Sequence, residues 1–170
     1  MKNYFSLLSV FFVIVLMSCH SDKPKPPVDL SNGSKKAEVS IPYQEVGGVK
    51  TIPIKINGVS IDAIYDPGCS DVQLSLHELQ TLDKNGKLNI EDIIGASYAT
   101  IADGSTVVNG IIVLREIEIG SGKNAIKLQN VQAGFSLNDD APVLLGNGVF
   151  DKVASVEVDN VEKTINFRRY

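Results

Sequence analysis

The segment Val59-Ser60-Ile61-Asp62-Ala63-Ile64-Tyr65-Asp66-Pro67-Gly68-Cys69-Ser70 runs an apolar alternation, Val59, Ile61, Ala63 and Tyr65, straight into a carboxylate and then a forced turn. Period-two alternation of this kind marks a strand with one face in a core. Pro67 presets the turn and Gly68 lets the backbone approach its neighbours closely, so Asp66 is expected at the rigid tip of a strand. Taken alone, Asp-Pro-Gly is an ordinary turn tripeptide; its surroundings give it meaning.

Upstream, Val49–Ile56 also alternates, and Asn57-Gly58 is the strongest short hairpin signal, so a hairpin delivers Asp66. Downstream, Val72–Leu74 reads as a strand. Ser75-Leu76-His77-Glu78 then has the form of a capping box, opening a short helix with Leu76, Leu79 and Leu82 on its apolar side and ending at Asp83-Lys84-Asn85-Gly86-Lys87. Residues 96–101 and 105–108 flank Ala102-Asp103-Gly104, which predicts a second hairpin.

Residues 111–119 form a long β-branched strand, broken by Gly120-Ser121-Gly122, and the sheet resumes over 126–131 and 132–135. Val143-Leu144-Leu145-Gly146 is a second buried apolar run, ending in glycine. Residues 148–154 suit one or two helical turns, and 156–158 are expected to pair with 164–167 across Asp159-Asn160. Short strands at regular spacing, with one or two short helices, predict an all-β, closed or partly closed barrel.

The Asp66-Pro67-Gly68 loop after a core strand, the later hairpin and the Leu144-Leu145-Gly146 run together resemble the retropepsin-like aspartic proteases. In that family an Asp-Thr-Gly loop follows one strand and a hydrophobic-hydrophobic-Gly strand passes beside it. The resemblance implies a retropepsin-like acid protease barrel over 41–170, with Asp66 catalytic and Pro67, Gly68, Cys69 and Ser70 completing the active-site loop. It implies a flap made of Tyr98, Ala99, Thr100, Ile101, Ala102, Asp103, Gly104 and Ser105, and loop support from Leu144, Leu145 and Gly146.

The implied activity is that of an aspartic endopeptidase acting on a peptide or protein substrate. Metal-free hydrolysis needs one group to take a proton from water and another to give one, and two carboxylates sharing a single proton do both. This chain offers one such aspartate, so the second Asp66 must come from a second copy in a homodimer. Pro67 departs from the family's Thr or Ser, since it offers neither a hydroxyl nor a backbone N–H. That departure implies the alternative, a noncatalytic retropepsin-fold lipoprotein that binds peptides or serves a structural role. Cys69 matches a small residue of the family loop, which favours packing over a nucleophilic or bridging thiol, and Ser70 is placed to bond near Asp66.

At the amino terminus Lys2 precedes an apolar run over 5–17, shorter than the roughly twenty residues that cross a bilayer. It reads as a signal peptide over 1–18. Leu16-Met17-Ser18-Cys19 resembles a bacterial lipobox, which implies lipidation of Cys19 and a lipid anchor in the cell envelope, at the periplasmic or outer-membrane face. Residues 19–40, with Pro24, Pro26, Pro27 and the polar run Ser31-Asn32-Gly33-Ser34-Lys35-Lys36, lack the apolar content to fold and are expected to be a flexible tether.

Other chemistries find little footing. The formal net charge of −4 and the absence of a basic stripe argue against nucleic acid as a partner. His20 and His77 with so few thiols make no zinc set, and Asp139-Asp140 reads as a solvated loop rather than a calcium site. Gly146-Asn147-Gly148 lacks the third glycine of a dinucleotide fingerprint. Ser70, Asp71 and His77 are not framed by a nucleophile elbow, and His77 is expected to be an exposed helix residue. Neither a metal nor a cofactor is expected.

Overall fold

In a computed structural model, residues 39–100 and 103–170 are described. The expected signal peptide, the lipidation site Cys19, the tether up to residue 38 and the flap residues Ile101 and Ala102 lie outside the described residues. The chain opens with strands β1 (Val39–Pro42), β2 (Gln44–Val46), β3 (Val49–Ile56), β4 (Val59–Tyr65) and β5 (Val72–Leu74), then helix α1 (Leu76–Lys84). Strands β6 (Ile93–Thr100), β7 (Thr106–Ile119), β8 (Ile126–Phe135) and β9 (Leu144–Leu145) follow. Helix α2 (Asn147–Phe150) and strands β10 (Ser155–Asp159) and β11 (Thr164–Arg168) complete it.

The sheet closes because β3 pairs on both sides, antiparallel to β4 through Ile54↔Ile61 and to β7 through Ile56↔Ile117. The resulting ring runs β3, β4, β9, β5, β8, β7 and back to β3. Strand β2 extends it from β3, and β6 lies along the opposite half of β7. A separate antiparallel sheet places β11 between β1 and β10.

Alternation in the sequence fills the ring. Ile52, Ile54 and Ile56 of β3, Ala63 of β4, Val72 and Leu74 of β5 and Leu145 of β9 are all buried together. On β7 the inward period breaks between Leu114 and Ile117, and on β8 between Leu128 and Val131, where Asn130 takes a φ of +52°. The paired strands therefore change face together. Helix α1 has the expected capping box at Ser75 and Glu78, and seats Leu79 and Leu82 in the core. The β3–β4 turn takes positive φ at both Asn57 and Gly58, the geometry that Asn-Gly favours. Asn57 then ties this turn to β7, since its Oδ1 accepts from Glu116 N–H at 3.0 Å.

Several boundaries differ from the sequence reading. Val39 and Ser40, expected in the tether, already lie in strand, because Val39 pairs with Phe167 and is buried against the barrel. Strand β7 runs unbroken through Asn109-Gly110, where the sequence predicts separate strands ending at 108 and starting at 111. Gly110 is there to pass the Phe135 ring: a Cβ would lie 2.0 Å from Phe135 Cζ. Strand β8 is likewise continuous, and helix α2 starts at Asn147 and ends at Phe150, earlier than 148–154.

Candidate active site

Asp66 is placed by a parallel ladder. Strand β9 runs beside β4 with Ile64↔Leu144 and Tyr65↔Leu145 in register. Ile64 N–H donates to Val143 O at 2.8 Å, and Asp66 N–H donates to Leu145 O at 3.1 Å. The backbone of Asp66 is thus the last rung of a ladder whose partner strand is anchored in the core by the fully buried Leu145.

The chain then turns at once. Cys69 N–H donates to Asp66 O at 3.1 Å, closing the turn over Pro67-Gly68. Gly68 N–H donates to the carboxylate itself, 2.9 Å from Oδ1. A Cβ on Gly68 would stand 3.2 Å from the same oxygen, so glycine keeps the amide and carboxylate close.

The start of α2 grips the loop from below. Asn147 Nδ2 donates to Pro67 O at 3.2 Å, Asn147 N–H to Cys69 O at 3.0 Å and Gly148 N–H to Ser70 O at 2.9 Å. Gly146 makes the approach possible, because a Cβ there would lie 2.4 Å from both Cys69 O and Asp71 O. The supporting run Leu144-Leu145-Gly146 therefore serves both as ladder partner to β4 and as contact surface for the turn.

Burial, followed by the carboxylates of Asp66 and Asp71, pushes the Cys69 thiol up from its ordinary range, against an opposing hydrogen bond from the Asp71 backbone. The cysteine is unbridged and half-buried. Ser70 meets the support through its carbonyl; a bond from its hydroxyl to Asp66 is absent among the described residues. His77 is exposed on the solvent face of α1, as expected.

Strands β6 and β7 form the second hairpin, with Tyr98↔Val108 and Thr100↔Thr106 in register. Near its tip Gly104 has a φ of +84°, and Ser105 N–H donates to Asp103 Oδ1 at 2.8 Å. Hydrogen bonds from the Ser105 hydroxyl and backbone lower the Asp103 carboxyl from its ordinary value. Tyr98 is 81 % exposed and Val108 57 %, so the hairpin presents apolar groups to solvent.

Three clefts border the loop. One, of about 600 Å³, lies between Gly68, Cys69, Ser70 and Asp71 on one side and Ser97, Tyr98 and Thr100 of the hairpin on the other. The second, of about 610 Å³, is where Asp66 itself opens, beside Tyr65, Leu144, Val49, Lys50 and Val158. A third, of about 580 Å³, lies beside Tyr65, Pro67 and Asn147.

No protein-family model and no curated protein sequence matches the chain. Its structure is similar to the crystal structure of a retropepsin-like aspartic protease from Rickettsia conorii, with a TM-score of 0.54 and 18% identity. The match covers 77% of this chain and 89% of the other. The fold is retropepsin-like. Within that retropepsin-like frame, Asp66, its turn, the β6–β7 hairpin and the β9 support stand in the chain order and pairing described above.

Sequence reasoning misses Asn147, Gln73 and Lys50. Asn147 stands out there only as part of a glycine-rich triplet, although an asparagine directly after a hydrophobic-hydrophobic-Gly run is placed to reach the loop that the run supports. Gln73 sits at an outward position of β5, between inward Val72 and Leu74, which alternation alone reveals. Lys50 carries no local signal, since it reaches the Asp66 cleft only once β3 pairs with β4.

Proposed function

We propose that this protein is an aspartic endopeptidase that works as a homodimer, the Asp66 of each copy supplying half of the catalytic pair. The observation that carries the reading is the Asp66 turn. Its carboxylate stands on a core ladder with a backbone N–H on Oδ1, and three hydrogen bonds from the start of α2 hold the next carbonyls. Preorganisation of this kind is what a catalytic carboxylate requires, because a small misplacement costs a large factor in rate.

Two such carboxylates brought together share one proton, since like charges at close range cannot both ionise. The ionised one takes a proton from water, whose oxygen attacks the scissile carbonyl carbon. The protonated one gives its proton to the carbonyl oxygen. Collapse of the tetrahedral species breaks the C–N bond as the proton taken from water passes to the departing amine, and one hydroxyl of that species returns its proton to the pair as the carbonyl reforms. The β6–β7 hairpin stands opposite the loop as the cover for an extended peptide.

The same reading takes the chain as lipid-anchored through Cys19 in the bacterial envelope. Its test is a Cys19→Ser chain, which should leave the membrane fraction and lose lipid labelling. For the enzyme itself, the full chain should cleave a peptide library at acidic pH, sensitive to pepstatin and lost in Asp66→Asn. Absence of cleavage by wild type, at concentrations where the dimer is present, overturns it.

One observation favours a second reading, a noncatalytic peptide-binding protein of the same fold. Pro67 has no hydroxyl and no N–H to give to a partner copy. Peptide retention without cleavage is the result that supports this second reading.

A further inference from the structure

We infer that the cleft between the Asp66 loop and the β6–β7 hairpin is a subsite for a side-chain carboxamide, an asparagine or glutamine of the bound peptide, with Gln73 as its specificity-determining residue. The inference deepens the peptidase reading and rests on it for the nature of the ligand.

Gln73 pairs with Gly134 of β8 in the parallel β5–β8 ladder, and its side chain leaves the barrel on the face opposite Val72 and Leu74. It lies flat over Gly134. A Cβ at that position would stand 2.4 Å from Gln73 Oε1 and 3.2 Å from Nε2, so any larger residue would push the carboxamide aside. Gln73 Nε2 is buried, yet has no hydrogen-bond partner among the described residues. An orphaned buried donor costs the fold the desolvation of that group; Gln73 lines the cleft and the last torsion of its side chain is soft, so a modest rotation uncovers Nε2 to a ligand acceptor and recovers that cost.

The rest of the wall narrows the choice. Ser70, Asp71, Ser97, Asn109 and Gln132 line the same cleft of about 600 Å³, and Asn109 is itself buried. An alkyl side chain would leave these groups unpaired. A ligand carboxylate would answer the Gln73 donor but would meet Asp71, and an ammonium would suit Asp71 but offer Gln73 no acceptor. A carboxamide satisfies both, its oxygen accepting from Gln73 Nε2 and its nitrogen donating to the acceptors of Ser70, Asp71 or Asn109. A site built on hydrogen bonds discriminates strongly against analogues that lack them.

The test uses the full chain carrying Asp66→Asn, so that peptides are bound without being cut. Binding is measured for short synthetic peptides that differ at one position, Asn or Gln against Leu, Asp or Lys, scanned along the peptide. One position should prefer Asn or Gln by about tenfold, the factor expected of one or two buried hydrogen bonds. Gln73→Met, which keeps the unbranched stem, should erase that preference, and Gln73→Leu serves the same comparison if the first variant fails to fold.

Equal affinities at every position, no binding of any peptide, or a carboxamide preference that survives both Gln73 variants each overturn the inference. Wild-type chain run against the same peptides separates this from the enzyme reading. Cleavage without carboxamide preference leaves the peptidase standing and removes the subsite, whereas carboxamide-selective binding without cleavage does the reverse.

Discussion

Asn147 and Pro67 are joined across the site: the Asn147 side-chain amide donates to the Pro67 carbonyl at 3.2 Å, while the Asn147 backbone N–H bonds Cys69 O at 3.0 Å. A proline in this turn gives up a hydroxyl and an N–H, but it keeps its carbonyl, and Asn147 uses that carbonyl to fix the loop from within one chain. The Asp66 turn is thus held by the start of α2 within a single copy of the chain.

Replacing Asn147 tests that division of labour. Asn147→Ala should cost about 1 kcal/mol of stability, the worth of one hydrogen bond, and should lower kcat by roughly ten- to a hundredfold through loss of loop position. KM should change little. Asn147→Asp, which puts an acceptor where a donor is needed, should behave like Ala rather than rescue it. Steady-state kinetics beside thermal unfolding checks both statements.

Gly146→Ala should be far more damaging than its size suggests. The added methyl meets two backbone carbonyls, Cys69 O and Asp71 O, each at 2.4 Å, and neither can swing aside as a side-chain tip could. Overpacking of this kind costs about 1–3 kcal/mol or more, read as a lowered denaturant midpoint. Gly110→Ala meets the Phe135 ring first, so pairing it with Phe135→Leu should recover part of the loss, an interaction that a double-mutant cycle measures.

Much of this fold is legible in the sequence, and the exceptions share a cause. The β3–β4 hairpin announces itself because alternation and Asn57-Gly58 act locally. Strand β2 does not, since Gln44-Glu45-Val46 is short, exposed and held by long-range partners, β3 alongside it and Lys163 on Glu45. Asn109-Gly110 looks like a break because both residues favour turns, yet the strand runs through them where Phe135 leaves room for glycine alone. At the site, Asp66 and its support are readable as motifs. The role of Asn147 is not, as its partner Pro67 lies 80 residues away and nothing in the intervening sequence reports the contact.

Acid should act on the barrel itself. Hydrogen bonds from Lys55 and Lys127 hold the Glu118 carboxyl below its ordinary value, with Nζ of Lys55 at 2.7 Å and Nζ of Lys127 at 3.1 Å. A carboxyl lowered in the folded state adds stability above its unfolded pKa and loses it as the pH falls through the folded value. Glu118→Gln should therefore be less stable than wild type at neutral pH, and the difference should shrink on acidification. Unfolding curves at a series of pH values show it.

Cys69 should alkylate slowly. Its thiol is pushed up mainly by burial and then by the charges of Asp66 and Asp71, so little thiolate is present at neutral pH. Iodoacetamide labelling, followed peptide by peptide in a mass spectrometer, should modify Cys69 more slowly in the folded chain than in the denatured one, and the gap should narrow as the pH rises.

The claim on which the account turns is that each copy brings half of the catalytic pair, and subunit mixing measures it. Wild-type chain is mixed with Asp66→Asn chain at constant total concentration, allowed to exchange partners, and assayed on one peptide. If two Asp66 carboxylates are needed, activity falls with the square of the wild-type fraction, so an equal mixture retains about one quarter. A straight-line fall to about one half, or a wild-type protein that cleaves nothing while dimeric, contradicts it.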